Sequence, residues 1–172
     1  LTLFERTPGG NRVRVQADNF DQPLDINKGI KLDLGSTAKL RTLITYLEIV
    51  ADLHRQYVDL APERLRKVNV ASQDSIRRWA LNYLARAPNR SLSAMLEASL
   101  QREYSGNPGE GFVTGGGVQR FENFEKFENY RNYTVREGLR YSVNLVYVRL
   151  MRDIVHFYMY QVPGSSAQLL ED

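Results

Sequence analysis

Two short motifs, Ser36-Thr37-Ala38-Lys39 and Ser142-Val143-Asn144, bring together the residue types in this chain best suited to chemistry. Gly35 precedes the first serine, and Leu40, Leu43, Ile44, Leu47, Val50 and Ala51 follow at intervals of three and four. That spacing predicts a helix that starts at or just before Ser36 and runs to about His54, with these apolar residues as its inner face. Ser36 then lies at the helix mouth, beside free backbone N–H groups and the positive end of the dipole, which favour an oxygen gaining negative charge. Positions three apart share a helix face. The Lys39 amine can therefore approach Ser36 Oγ and, if desolvation removes its proton, act as its base. By itself the motif says little. A chance Ser-x-x-Lys is expected about once in a chain of this length, and a serine N-cap beside a solvated lysine has the same spelling.

The second motif falls on a predicted helix break. Thr134-Val135-Arg136-Glu137 reads as a capping box, so a short helix starts after Thr134 and is interrupted near Tyr141. Val146, Tyr147, Leu150, Ile154, Phe157 and Tyr158 then mark a last helix to about Tyr160. Ser142 and Asn144 sit at the junction, a place that can aim a hydroxyl and an amide into one cleft.

The elements that must hold these motifs are mostly helical. Thr2–Arg6 and Arg12–Ala17 alternate in character around Pro8-Gly9-Gly10-Asn11 and predict a hairpin over residues 1–18. Its unpaired edge predicts either disorder or pairing with a second copy of the chain. Asp18–Lys31 reads as a loop, and Val58–Asp74 as irregular with one short turn after Pro62. Ile76, Trp79, Ala80, Tyr83 and Leu84 predict a helix from Ser75 to Ala87, closed by Pro88; Leu92, Met95, Leu96, Ser99, Leu100 and Tyr104 predict another. Ser105–Gln119 holds six of the twelve glycines and reads as a long loop. Its Gly115-Gly116-Gly117 lacks the Gly-Lys-Ser/Thr ending of a phosphate loop. A turn is expected at Pro163-Gly164-Ser165-Ser166. The fold class is α+β, an N-terminal hairpin followed by a mainly helical part over 36–172.

Composition narrows the function. The chain has 172 residues, 42% hydrophobic and 25% charged, as expected of one globular domain with a core. Its 23 basic and 20 acidic residues are interspersed, so a net charge of +3 does not argue for nucleic acid. Phe121, Phe124, Phe127, Tyr130 and Tyr133 among Arg120 and Arg131 are a mix that stacks single strands, but core and loop packing accounts for them better. No cysteine is present, which excludes disulfides, thiolate catalysis and cysteine-ligated metals. His54 and His156 are isolated and read as surface residues, so neither metal nor cofactor is expected. No apolar run approaches the ~18 residues of a membrane span, and the chain reads as an excised piece without a signal peptide.

The two motifs occur in order, about a hundred residues apart, between the flanks Phe121-Glu122-Asn123-Phe124, Thr134-Val135-Arg136-Glu137-Gly138-Leu139-Arg140-Tyr141 and Val148-Arg149-Leu150-Met151-Arg152-Asp153. With these blocks the sequence resembles the transpeptidase domain of class A penicillin-binding proteins, from the hairpin to about His156. The resemblance implies a helical subdomain packed on an antiparallel sheet with the active site between them. It implies D,D-transpeptidation of peptidoglycan stem peptides, covalent inhibition by β-lactams, and a place in the bacterial cell envelope, periplasmic or on the outer face of the cytoplasmic membrane. By motif, Ser36 would be the nucleophile and Lys39 its base. Ser142 would relay a proton to the leaving amine, Asn144 would orient lysine and substrate, and the Ser36 N–H would supply one oxyanion donor.

The family's third motif, Lys-Thr/Ser-Gly on a sheet strand, occurs nowhere in the chain. The glycosyltransferase domain and membrane anchor that class A proteins carry upstream are also absent. The chain is thus expected to hold the nucleophile side of a site without its opposite wall and to be nearly inactive alone. A rival expectation is a binding module of the same fold that has lost catalysis.

Overall fold

Leu3 and Val15, and next to them Phe4 and Val13, face each other across an antiparallel hairpin of β1 (Thr2–Thr7) and β2 (Gly10–Gln16). The computed structural model describes residues 2–17 and 34–161, and the chain divides into the units Leu1–Leu34 and Gly35–Asp172. In the hairpin the register slips between Leu3 and Phe4, and Arg14 forms an ion pair with Glu5. All four apolar residues stay about half exposed, and a two-stranded hairpin by itself is only marginally stable. The predicted loop Asp18–Lys31 and the turn at 163–166 lie outside the described residues.

The second unit is built on α1 (Ala38–Tyr57), preceded by a single 3-10 turn at Gly35–Thr37. Around α1 pack α3 (Ser75–Arg86), α4 (Leu92–Leu100) and α6 (Asn144–Met159). The short helices α2 (Pro62–Leu65) and α5 (Val135–Arg140) complete the helical set. Local chemistry explains the starts. Asp74 accepts the Arg77 N–H, Ser91 accepts the Ala94 N–H, and Thr134 with Glu137 forms the predicted capping box.

The strands are three separate two-stranded ribbons, so the described fold is α+β. Besides the hairpin, β3 (Glu103–Ser105) pairs with β6 (Asn132–Thr134), and β4 (Gly111–Thr114) pairs with β5 (Gly117–Arg120).

Three expectations need correction. First, the stretch Ser105–Gln119 is not all loop: most of the β4–β5 hairpin lies within it, with Phe112 turned inward against Phe121. Second, the helix that begins near Leu92 ends at Leu100, and Tyr104 belongs to β3 opposite Tyr133. Third, α1 buries Thr42, Tyr46, Ile49, Val50, Leu53 and Tyr57, whereas Leu40 and Ile44 stay 55% and 49% exposed. The buried face is set by the three helices around it, and its polar members are satisfied: Tyr46 donates to Ser99 O at 3.1 Å and Thr42 to Ala38 O at 3.3 Å.

Behind α1 lies a buried ionic cluster. Asp153 Oδ2 on α6 accepts from Ser75 Oγ at 2.5 Å, Tyr104 OH at 2.8 Å and Arg102 at 3.1 Å. Arg102 also donates to Tyr46 OH and lies over the rings of Tyr46, Trp79 and Tyr104. One carboxylate thus ties α6 to α3 and β3, and through Arg102 to α1. Burial and the neighbouring carboxylate keep the Tyr104 phenol from ionising, so it stays a donor.

Removing Arg102 takes the nearer cation from a buried carboxylate and leaves it only Arg152 at 3.8 Å, so Arg102→Ala should cost up to about 3–5 kcal/mol. Urea unfolding should show this as a large fall in midpoint. Replacing both partners by apolar residues, Arg102→Met with Asp153→Leu, should recover most of the loss, and a double variant no better than Arg102→Ala would show that the pair is not what holds these elements.

Candidate active site

Lys39 occupies the second residue of α1, one turn after Ser36, and only 8% of it is exposed. Its Nζ lies 3.1 Å from Ser36 Oγ, 2.9 Å from Ser142 Oγ, 2.5 Å from Ser142 O and 2.7 Å from Asn144 Oδ1. The four residues singled out from the sequence therefore meet at one nitrogen, across 103 to 105 residues of chain. Ser36 itself is exposed and lies in the 3-10 turn ahead of the helix, rather than capping it. Thr37 stands at the N-cap position without a side-chain cap bond.

The α5–α6 junction explains how Ser142 turns toward the lysine. The Val143 N–H bonds to Gly138 O at 2.9 Å and the Ser142 N–H to Leu139 O at 3.1 Å. This is the paired closure of a Schellman motif, with Ser142 in the left-handed position that glycine normally fills. Ser142 has φ 59°, the one positive value among described non-glycine residues. An L-residue there costs roughly 1–2 kcal/mol. The conformation turns both the hydroxyl and the carbonyl of Ser142 to Lys39 Nζ, and α6 begins at once with Asn144. Gly138 is needed at this crossing, since a Cβ there would stand 2.5 Å from Val146 Cγ1.

Asn144 is oriented from its other end. Its Nδ2 donates to Glu122 O at 3.1 Å, which leaves Oδ1 facing the lysine. Asn123 Oδ1 accepts the next backbone N–H, that of Leu145, at 2.9 Å.

Proton counting fixes what the cluster can do. Ser142 O and Asn144 Oδ1 are carbonyl oxygens and can only accept. A neutral Lys39 has two N–H groups, and these two oxygens use both. Its lone pair is then left for the hydroxyls, and Ser36 Oγ–H can donate to it at 3.1 Å. A charged Lys39 has a third N–H to share between the Ser36 and Ser142 hydroxyls. Both protonation states are accommodated without moving a heavy atom, as a base that returns its proton requires. Burial pushes the amine below the ordinary lysine value of 10.5, and the buried Glu128 carboxylate pulls it back in part.

An open groove of about 880 Å3 leads away from this cluster. Lys39 and Asn144 stand on its wall, and the rest is mainly apolar, with Phe112, Val113, Phe121, Val148, Met151 and Val155. Arg149 holds the approach to β4 by donating to Ser105 O and Asn107 O and pairing with Glu110. His156 lines the groove and is half-buried, and His54, also half-buried, has Nε2 2.8 Å from Arg90 O. No group of His, Asp or Glu able to hold a metal occurs among the described residues. Glu122, Asn123 and Glu128 had no assigned role in the sequence, because their partners lie far off in the chain.

Comparison with family models, curated proteins and solved structures finds no match to the chain.

Lys39 should titrate below the ordinary lysine value of 10.5, because burial disfavours its charge. Lysine Cε carbon NMR measures this. The amine is neutral above its midpoint, so any step that uses it as base should gain rate as pH rises through a value below 10.5. A midpoint at or above 10.5 would contradict the desolvated environment.

Ser142→Gly should change stability by under about 1 kcal/mol, since relief of the left-handed backbone offsets the entropy of glycine. Ser142→Val, forced into the same backbone, should lose about 1–2 kcal/mol or more. Equal urea midpoints for the two variants would show that position 142 is not strained.

Proposed function

We propose that this chain is the nucleophile-bearing part of a serine D,D-transpeptidase domain of the penicillin-binding type. The observation that carries the reading is Lys39 Nζ within 3.1 Å of two serine hydroxyls and of Asn144, from motifs over a hundred residues apart. Chance copies of Ser-x-x-Lys and Ser-x-Asn have no reason to converge on one buried amine.

In the proposed reaction, Lys39 takes the proton of Ser36 as Oγ bonds to the carbonyl carbon between two D-alanines of a stem peptide. The C–N bond breaks, and the leaving amine takes the proton of Ser142, which Lys39 resupplies. An amine from a neighbouring strand then attacks the acyl-serine, its proton returns along the same route, and Ser36 is freed. Asn144 holds the lysine between the two hydroxyls. A β-lactam presents a strained acyl group to the same oxygen and stays attached.

The open, mainly apolar groove beside Lys39 and Asn144 supports the view that a further layer belongs here. On this reading, the layer is the sheet whose Lys-Thr/Ser-Gly strand supplies the second oxyanion donor. The reading places the protein in the bacterial cell envelope.

In the complete protein, Ser36→Ala should abolish covalent labelling by a fluorescent penicillin and leave the fold intact, because Ser36 is exposed and holds no core contact. Lys39→Ala should suppress labelling as well. The 172-residue chain alone should label about a hundredfold to a thousandfold more slowly, the usual effect of losing one oxyanion donor. Intact mass after incubation reads all three. Labelling that survives in Ser36→Ala would place the nucleophile elsewhere, and absence of labelling in the complete protein would favour a binding module that has lost catalysis.

A further inference from the structure

We infer that Asn123 is a positioning residue, which holds the start of α6 so that Asn144 presents its carbonyl oxygen, and not its amino group, to Lys39. The inference rests on the proposed role of Lys39 as a base but concerns a residue outside the reacting set.

The geometry is a two-point clasp. The segment Glu122-Asn123 meets the first turn of α6 through Glu122 O, which accepts from Asn144 Nδ2 at 3.1 Å, and Asn123 Oδ1, which accepts from Leu145 N at 2.9 Å. Leu145 N is one of the donors that a helix start leaves without a partner in its own ladder. An asparagine side chain from another element fills that need here, where the local N-cap residue, Val143, has no side chain able to.

Asn123 is itself fixed at its other end. Its Nδ2 donates to Gly106 O at 2.8 Å and to Asn129 Oδ1 at 3.0 Å. Both donors and the acceptor are thus engaged, so the amide has one orientation. Gly106 permits this approach: a Cβ there would lie 2.0 Å from Glu128 O, and its N–H bonds to Arg131 O at 3.0 Å. A capping box between Glu125 and Glu128 closes the 3-10 turn Lys126–Tyr130 that carries Asn129. Order in that turn is therefore handed through Asn129 and Asn123 to α6, and from α6 to Asn144 and the lysine.

Without Asn123, Leu145 N–H must find water, and one of the two ties on the Asn144 peptide is lost. Asn144 Nδ2 then has Glu122 O as its sole anchor, on a segment no longer tied to α6. Water admitted at this point solvates the Lys39 amine. The charged groups that face Lys39 are Glu128 and, along the groove, Glu122, Arg152 and His156. None is replaced in Asn123→Ala, and a Glu128 displaced with its turn would lower the Lys39 midpoint, so a rise reports solvation of the amine.

The test is the Lys39 titration midpoint by lysine Cε carbon NMR in the 172-residue chain, with circular dichroism to confirm folding. In Asn123→Ala the midpoint should move up by about half a pH unit or more, toward the ordinary lysine value. A folded Asn123→Ala with the midpoint of the unaltered chain overturns the inference. If that variant does not fold, Asn129→Ala decides: it frees one end of the Asn123 amide and should move the midpoint the same way by less, and no movement overturns the inference. The readout needs no acylation. Failure of penicillin labelling at Ser36 would thus count against the proposed reaction, and an unmoved midpoint against Asn123 alone.

Discussion

A single amine, Lys39 Nζ, has four oxygen atoms within 3.1 Å, and two of them are hydroxyls that can gain or lose a proton. Desolvation disfavours its charge, while four oxygens and a nearby carboxylate favour it. That balance is possible only because the oxygens are fixed in advance by the backbone. A lysine that could swing out to water would keep its proton and serve as nothing more than a solvated cation. The helices, ribbons and buried cluster of the second unit all bear on keeping α1 and the α5–α6 junction at a fixed distance.

Two kinds of rigidity meet at that junction. On one side, α1, α3 and α6 are locked by packing and by the Asp153–Arg102 cluster, where the cost of an unpaired charge discourages any relative slide. On the other, Ser142 is held in a left-handed conformation that glycine would adopt more easily. Serine at a Schellman position is a local weakness, and what it gives in return is a hydroxyl and a carbonyl on the same side of the chain. Strain at a site of proposed proton transfer, stabilised from elsewhere in the fold, is a known pattern.

The sequence made the helices and the four candidate site residues legible because both depend on short spacing. Ser36 and Lys39 are three apart on one helix start, and the capping box at Thr134 and Glu137 marks a start whatever surrounds it. Features decided by distant partners were not legible. The buried side of α1 could not be read from its leucines, since it is set by α3, α4 and α6 and Tyr46 is buried with its hydroxyl donating to the distant Ser99 O. The β4–β5 hairpin was hidden by glycines that read as a loop, and Phe112 alone shows an inward side. No glycine marks the end of α5, so the Schellman turn carried no sequence signal, although its consequence, the orientation of Ser142, is central to the site.

The groove follows from the same division between local and distant information. Periodicity placed Leu40 and Ile44 in a core, and the described fold leaves them in the open, while a separate groove is lined by Phe112, Phe121, Met151 and Val155. A helix whose sequence calls for burial on two sides, and which is covered on one, is matched to two layers. The side covered by α3, α4 and α6 holds the fold and includes the buried Lys39, whose amine meets the groove wall, while Leu40 and Ile44 lie on the open side. Separating the two is physically sensible: the layer that fixes Lys39 need not move when the groove is filled. A partner surface on the open side can then supply charge stabilisation for a tetrahedral oxygen without sharing any side chain with the cluster that sets the lysine's proton affinity.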